Sequence, residues 1–417
     1  MTLRDLFDAT FRTLWAHKMR TFLTMFGIAW GILSITLMVA AGEGLRKGHE
    51  IQMQTMGKDL IIIFSGRTSM QAGGARAGRR LRWRDTDHIA LAAEASDCAH
   101  VLPEFARGGL QVRSRFNAGS LMVTGSLPPF QHVRSLDIEE GRFYNWLDVQ
   151  QARRVAFIGS DVRKQLYGDK PALGETITVN GFPYEVIGVL KRKEQNSDYN
   201  GRDVTKIFVP IGAVVRDFPQ PPPSPPHVID QLLVVPASVE QHDACEFQVR
   251  RGLARLHGFD PNDKEAVPVW DTFKEARAFR SMTDGMKIFL GAVGVVTLFL
   301  GGIGVMNVML VAVRERTREI GIRKAIGATR GSIVSQFFAE TLIIVFFSGA
   351  LGLGMAFGLC SIINSMEMPP FFAGLIADWR VTLGSLGLLG LVALLAAVYP
   401  ASIAASIDPI EALRYEA

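Results

Sequence analysis

The sequence predicts an α-helical membrane protein with four transmembrane helices and a large mixed α/β external domain inserted between the first and second helices. Three observations carry that prediction. The chain has 417 residues, 48% apolar and 20% charged, and its mean hydropathy of +0.19 is high for a soluble protein. The apolar excess sits in four stretches of about twenty residues that carry almost no charge, the length that crosses the hydrocarbon layer. Between the first and second stretches lies a long, charge-rich segment with the short alternating runs of strands. A simple cytosolic enzyme, a disordered chain and a collagen-like or coiled-coil fibre are excluded. The balance of 45 Lys+Arg against 40 Asp+Glu is too mild to argue for nucleic acid.

Along the chain, residues 1–20 place Leu3, Leu6, Phe7, Phe11, Leu14, Trp15 and Met19 on one helical face, with Arg4, Asp5, Asp8, Arg12 and Lys18 largely elsewhere. That suits an amphipathic helix lying in the cytoplasmic membrane interface, against lipid. The first span, 21–41, has no ionisable group and as a helix is about 31 Å long. Its apolar run is too long for a cleaved signal peptide. The other apolar cores are 288–313, 337–363 and 381–398, and each must be a helix because lipid cannot satisfy unpaired backbone groups. Basic residues flank one side: Arg4, Arg12, Lys18 and Arg20 before the first span, and Arg314, Arg316, Arg318, Arg323, Lys324 and Arg330 between the second and third. The 365–380 connection holds Arg380 alone. Both termini and the 314–332 loop are therefore expected on the cytoplasmic side, with the inserted domain outside.

The first helix is expected to continue past the membrane through Leu45, Met53 and Met56 to a stop at Gly57, making 21–57 span and stalk. A capping-box pattern at Thr272–Glu275, followed by Ala276, Phe279, Met282, Met286 and Phe289 at helical spacing, predicts a returning stalk fused to the second span, 272–313. Within 58–271 the pattern predicts helices at 84–95, 160–167 and 239–256. It predicts strands at 110–115, 120–125, 154–158, 176–179, 184–190, 206–209 and 229–235, with Asn180-Gly181 as a hairpin turn. The Gly/Arg-rich 66–80 and the Pro-rich 219–226 read as solvated loops, a docking role for either being open. The three cysteines, Cys98, Cys245 and Cys360, make no disulfide framework; at most Cys98 and Cys245 could pair, and the spacing does not decide it. The remaining segments are a third span at 333–364, a fourth at 381–400 and a cytoplasmic tail at 401–417.

Catalytic signals are weak, and no catalytic, cofactor or metal residue is assigned. Residues 73–80 superficially approach a phosphate-binding loop, but Arg79 and Arg80 stand where Lys and Ser/Thr belong. His242 and Cys245 make an H-x-x-C pair without further ligands of matching spacing. No H-E-x-x-H or G-x-S-x-G occurs. Small residues mark membrane-helix packing at Gly27 and Gly31, and at Ala350, Gly354 and Gly358. Gln336 and Glu340 stand one turn apart where the third span begins; the acid is expected to pair with Arg323, Lys324 or Arg330 rather than mark an ion path. The most informative stretch is RERTREIGIRKAIGATR, residues 314–330. It is short and charged, tethered at both ends to spans, and carries Ile320, Ile322 and Ile326, which read as exposed apolar contacts before a tight Gly327-Ala328 turn.

The string GGIGVMNVMLVAVRERTREIGIRKAIGATR, with AETLIIVFFSGALGLGMAFG after it, resembles the permease part of MacB-type ABC transporters, in the FtsX-like permease superfamily. MRTFLTMFGIAWGILSI resembles that family's first span and YPASIAASIDPIEALRYE its tail. LDIEEGRFYNWLDVQQARRVAFIGSDVRKQLYGD and GETITVNGFPYEVIGVLK are similar to parts of its external domain. The resemblance implies a periplasmic domain of two subdomains and residence in the bacterial inner membrane. It also implies a dimer with a second, identical or similar permease. It implies a coupling helix formed by Glu315, Arg316, Thr317, Arg318, Glu319, Ile320, Gly321, Ile322, Arg323, Lys324, Gly327 and Ala328. That helix would contact a dimeric ATPase that binds ATP and Mg, expected as a separate polypeptide because the chain shows no ATPase domain. Motion would pass through the stalks to the periplasmic domain, a process called mechanotransmission, for efflux with a periplasmic adaptor and an outer-membrane channel. Two alternatives share the architecture: a lipoprotein-releasing permease, and an FtsX-like regulator of a periplasmic cell-wall hydrolase.

Overall fold

Among the described residues, four helices are long and apolar enough to cross a membrane. They are the first long helix Lys18–Met56, the second Thr272–Glu315, the third Arg330–Asn364 and the fourth Trp379–Ser406. They belong to a computed structural model, which describes residues 18–57, 59–72, 74, 76–195, 199–220, 225, 227–369, 371–377 and 379–413. The interfacial helix expected over 1–20 lies almost wholly outside the described residues, as do most of 219–226 and the last part of the tail. The first long helix runs unbroken to Met56 and stops at Gly57, whose φ of 130° suits glycine alone. The second starts at Thr272, but its cap differs from the expected box. Asp271 Oδ1 accepts from the backbone N–H of Phe273 at 3.1 Å and of Lys274 at 3.0 Å. Thr272 Oγ1 is occupied instead by Leu60, accepting from its N–H and donating to its carbonyl, both at 2.9 Å.

Two compact units emerge, one holding the apolar helices and the other spanning His49–Ala278. In the first, Ile28, Ile32, Leu298, Val305, Met309, Ile344 and Leu389 share a core. The first helix packs on the second at Gly27 and Gly31, where a Cβ would make only ordinary contact, 3.9 Å from Gly301 Cα and 3.4 Å from the Leu298 side chain. On the third helix the close approach is at Gly352, where a Cβ would lie 2.5 Å from Ala29 O. The expected ridge of Ala350, Gly354 and Gly358 is exposed, with open space beside both glycines.

Among the described residues, the second unit is built on ten strands: β1 (Ile61–Phe64), β2 (Cys98–Arg113), β3 (Ala118–Ser126), β4 (Ile138–Gly141), β5 (Val155–Ile158), β6 (Thr176–Val179), β7 (Phe182–Leu190), β8 (Lys206–Pro210), β9 (Gln231–Pro236) and β10 (Val269–Asp271). Their order is β10-β1-β9-β2-β3-β8-β5-β7-β4, with β6 against β2 and β7. β2 extends twelve residues ahead of the expected start at Leu110. Its first half pairs with β9 and its second with β3 and β6; the register shifts between Arg107 and Leu110, where Gly109 has a φ of 77°. Pro103 and Gly108-Gly109 interrupt the alternation that would have revealed it. The Asn180-Gly181 turn joins β6 to β7 as expected, with φ of 46° and 92°. Trp83, Phe105, Phe130, Phe157, Tyr184 and Phe208 fill the core.

A disulfide joins Cys98 at the start of β2 to Cys245 in the helix His242–His257, closing 147 residues. The sequence left that pairing undecided, because only the fold brings β2 and this helix together. The bond removes Cys245 from any H-x-x-C metal pair, and His242 Nε2 lies 3.1 Å from Asp271 Oδ1 instead. Arg79, from the phosphate-loop lookalike, donates to the carbonyls of His257 at 2.6 Å and Gly258 at 2.9 Å, closing that helix's C-terminus. A buried charge cluster holds β8 to its surroundings. Asp203 accepts from Arg134 at 2.9 Å and Lys193 at 2.8 Å, and Lys206 stands 3.4 Å away. Arg134 lies over the Tyr199 ring at 4.9 Å. Burial alone would raise the Asp203 carboxyl, but the charges of Arg134, Lys206 and Lys193 hold it well below the ordinary carboxylate range.

Candidate functional site

The loop between the second and third long helices is not one helix over 315–328. The second long helix continues to Glu315, Arg316 breaks it, and a separate loop helix runs Thr317–Ala325. Gly327, with φ of 103°, then reverses the chain, and Thr329 caps the third long helix by accepting from Ser332 N–H at 3.3 Å. A nine-residue helix is too short to persist alone in water, so its tethers and its packing must hold it.

Its inner face supplies that hold. Ile320 is 2% exposed, packed in the core with Met309, Val313, Ile333 and Phe337, so the expectation of three exposed isoleucines fails at this position. Arg323 Nη1 donates to Gln336 Oε1 at 2.8 Å, Gln336 Nε2 donates to Glu340 Oε1 at 3.1 Å, and Arg316 Nη1 lies 3.4 Å from Glu340. The chain Arg323–Gln336–Glu340–Arg316 thus fastens the loop helix at both ends to one turn of the third helix. Glu340 does pair structurally, but Arg316 is its ion-pair partner, not Arg323, Lys324 or Arg330. Arg316 sits in the break, where no helical register dictates its direction.

A second fastening was not foreseen. Lys324 Nζ donates to the carbonyls of Ala405 at 2.9 Å and Ile407 at 2.5 Å, meeting the free carbonyls where the fourth long helix ends. The tail helix Pro409–Leu413 lies against Gly321, where a Cβ would come within 2.4 Å of Ala412 Cβ. The signal was Asp408-Pro409, an N-cap before a helix-starting proline; Asp408 Oδ1 accepts from Ile410 N–H at 2.8 Å.

The outer face is left with Glu315, Arg318, Glu319, Ile322, Ala325 and Ile326. Ile322 is 43% exposed and Ile326 80%, four residues apart and therefore on one side. At its edge Arg323 also meets Glu319 at 4.0 Å, and Arg318 and Glu319 are exposed. Two other close approaches went unread. A Cβ at Gly44 would lie 1.7 Å from Gly374 O, and one at Gly48 2.2 Å from Phe371 O, because the 365–377 connection lies on the first long helix. The Gly44/Gly48 spacing equals that of Gly27 and Gly31, but among charged neighbours it lacks an apolar context.

Residues 21–251 match the MacB-like periplasmic core domain, and residues 291–409 the FtsX-like permease C-terminal domain. The chain belongs to the MacB/FtsX-like ABC permease family. It is similar to the macrolide export ATP-binding/permease protein MacB of Bdellovibrio bacteriovorus, at 31% identity over 97% of this chain and 61% of that one. It is also similar to the uncharacterized ABC transporter permease YknZ of Bacillus subtilis, 29% identical over 96% of each. A third relative is the pyoverdine export ATP-binding/permease protein PvdT of Pseudomonas savastanoi, 29% identical over 99% of this chain and 60% of that one. The permease thus spans about three-fifths of the MacB and PvdT relatives. It is a multi-pass membrane protein, with a periplasmic-type α/β domain between its first and second long helices. The loop helix falls inside the FtsX-like segment.

Proposed function

We propose that this permease transmits the work of an ABC ATPase across the bacterial inner membrane to its periplasmic domain, driving export of a substrate from the periplasmic side. The ATPase is a partner subunit that binds ATP and Mg and docks on the outer face of the loop helix. Both chain termini share that cytoplasmic side. The carrying observation is the two-faced loop helix: its inner side is fixed by Arg316, Ile320, Arg323 and Lys324, while Ile322 and Ile326 project uncovered between Arg318 and Glu319. An apolar pair rimmed by charge is what a protein partner buries, the charges setting orientation and the isoleucines supplying desolvated contact. Unbroken helices from Lys18 to Met56 and from Thr272 to Glu315 are suited to carry the motion. Relatives named for macrolide and pyoverdine export favour export over lipoprotein release or hydrolase regulation. A second permease copy, a periplasmic adaptor and an outer-membrane channel complete the proposed assembly.

The test is ATP hydrolysis by the co-expressed ATPase in nanodiscs. Ile326→Asp should abolish stimulation and leave the melting temperature of the permease unchanged. Undiminished stimulation would remove the loop helix as the docking site.

A further inference from the structure

The periplasmic-type domain carries a cleft unrelated to the loop helix. Its volume is about 580 Å³, and Arg142, Arg153 and Arg154 line it together with Val155, Leu173 and Glu185. Buried acids fix the arginines from behind. Asp148 is held by a capping box at Asn145, which starts the helix Trp146–Gln150. It accepts from Arg142 Nη1 at 2.7 Å and faces Arg153 Nη1 at 3.5 Å. Asp217 takes a two-pronged contact from Arg154, Nε at 2.7 Å and Nη2 at 3.0 Å, and also binds Arg216 and the Tyr184 hydroxyl. Arg154 further lies 4.8 Å from the centre of the Phe182 ring. Burial would raise both aspartates, yet the arginines keep both carboxyls below their ordinary value, so they stay ionised.

Of the four guanidiniums that lean on the two aspartates, Arg142, Arg153 and Arg154 line the cleft, with Glu185 as the acid in its wall. Each guanidinium has five N–H donors. Arg153 uses Nε on Gln151 at 2.7 Å and meets Asp148 only at the longer distance, so donors remain for the cleft. Fixed guanidinium forks match carboxylate and phosphate oxygens. The side chains of Val155 and Leu173 line the same cleft, and its volume is that of small-molecule sites.

We propose that this cleft binds a small organic anion, its carboxylate or phosphate on Arg142, Arg153 and Arg154 and its carbon skeleton against Val155 and Leu173. The inference does not rest on the docking of any ATPase.

Isothermal titration of the full chain in detergent with citrate, with inorganic phosphate and with neutral triethyl citrate tests it. Citrate should bind, more weakly as salt rises; phosphate should bind less well, and the ester not at all. Arg153 is exposed enough that Arg153→Ala and Arg153→Glu should leave the thermal melt intact. The first should weaken citrate about tenfold or more, the second should abolish binding, and Arg153→Lys should keep part of it. Failure of both citrate and phosphate to bind at millimolar concentration, equal binding of the ester, or citrate affinity unchanged in both Arg153→Ala and Arg153→Glu would each overturn the proposal.

Discussion

Asp203 is the residue on which the charge cluster of the α/β domain turns, since Arg134, Lys193 and Lys206 all face it with little water to share the work. Removing one member of a buried ion pair typically costs about 3–5 kcal/mol, because the other is left charged and uncompensated. Asp203→Asn should therefore lower stability by about that amount, read as a fall in denaturation midpoint. Its folded carboxyl sits below the unfolded value of about 3.9. The contribution is complete above that pH and is lost as pH drops through the depressed folded value. Acid melts should show this directly: below about pH 4 the wild type loses stability more steeply than Asp203→Asn. A contrast between two isoleucines belongs to the same scale. Ile320→Asp buries a charge and should destabilise the helical unit, whereas Ile326→Asp should not. Spacing alone treats those residues alike; only the direction of the loop helix, set by the break at Arg316, separates them.

Among elements, the 365–377 connection and the tail helix both depend on a missing side chain. Gly44→Val would drive a Cβ into the Gly374 carbonyl, and Gly321→Val into Ala412; overpacking of this kind costs about 1–3 kcal/mol. Gly321→Val should also free the tail, seen as faster proteolysis after residue 406 than in wild type. The long helices were legible because twenty-residue apolar runs admit one solution in lipid. The Asn180-Gly181 hairpin was legible because only such residues take both positive φ values. β1 was not: Ile61–Phe64 is covered on both faces and shows no alternation. Nor was the first half of β2, whose partner β9 lies more than a hundred residues on. The loop helix was half legible: its charges and a structural pairing of Glu340 could be read from the sequence, whereas the partner Arg316, the Arg323–Gln336 bond and the burial of Ile320 needed the fold.

For the whole molecule, the Cys98–Cys245 bond bears on the topology proposed above. Disulfides persist in oxidising compartments, which agrees with an external α/β domain. Cys245→Ser should cost about 2–5 kcal/mol, given the 147-residue separation, measured as a lower melting temperature without change in oligomeric state. Transmission of an ATPase's work, as proposed, requires that residues outside the inner bonds of the loop helix meet an ATPase in the cytoplasm. The most direct measurement puts a photo-crosslinking amino acid at position 326 in living cells and identifies what it captures by mass spectrometry. An ABC ATPase subunit is the predicted product. Capture of periplasmic proteins alone, or modification of a cysteine at 326 by a membrane-impermeant reagent added to spheroplasts, would contradict it.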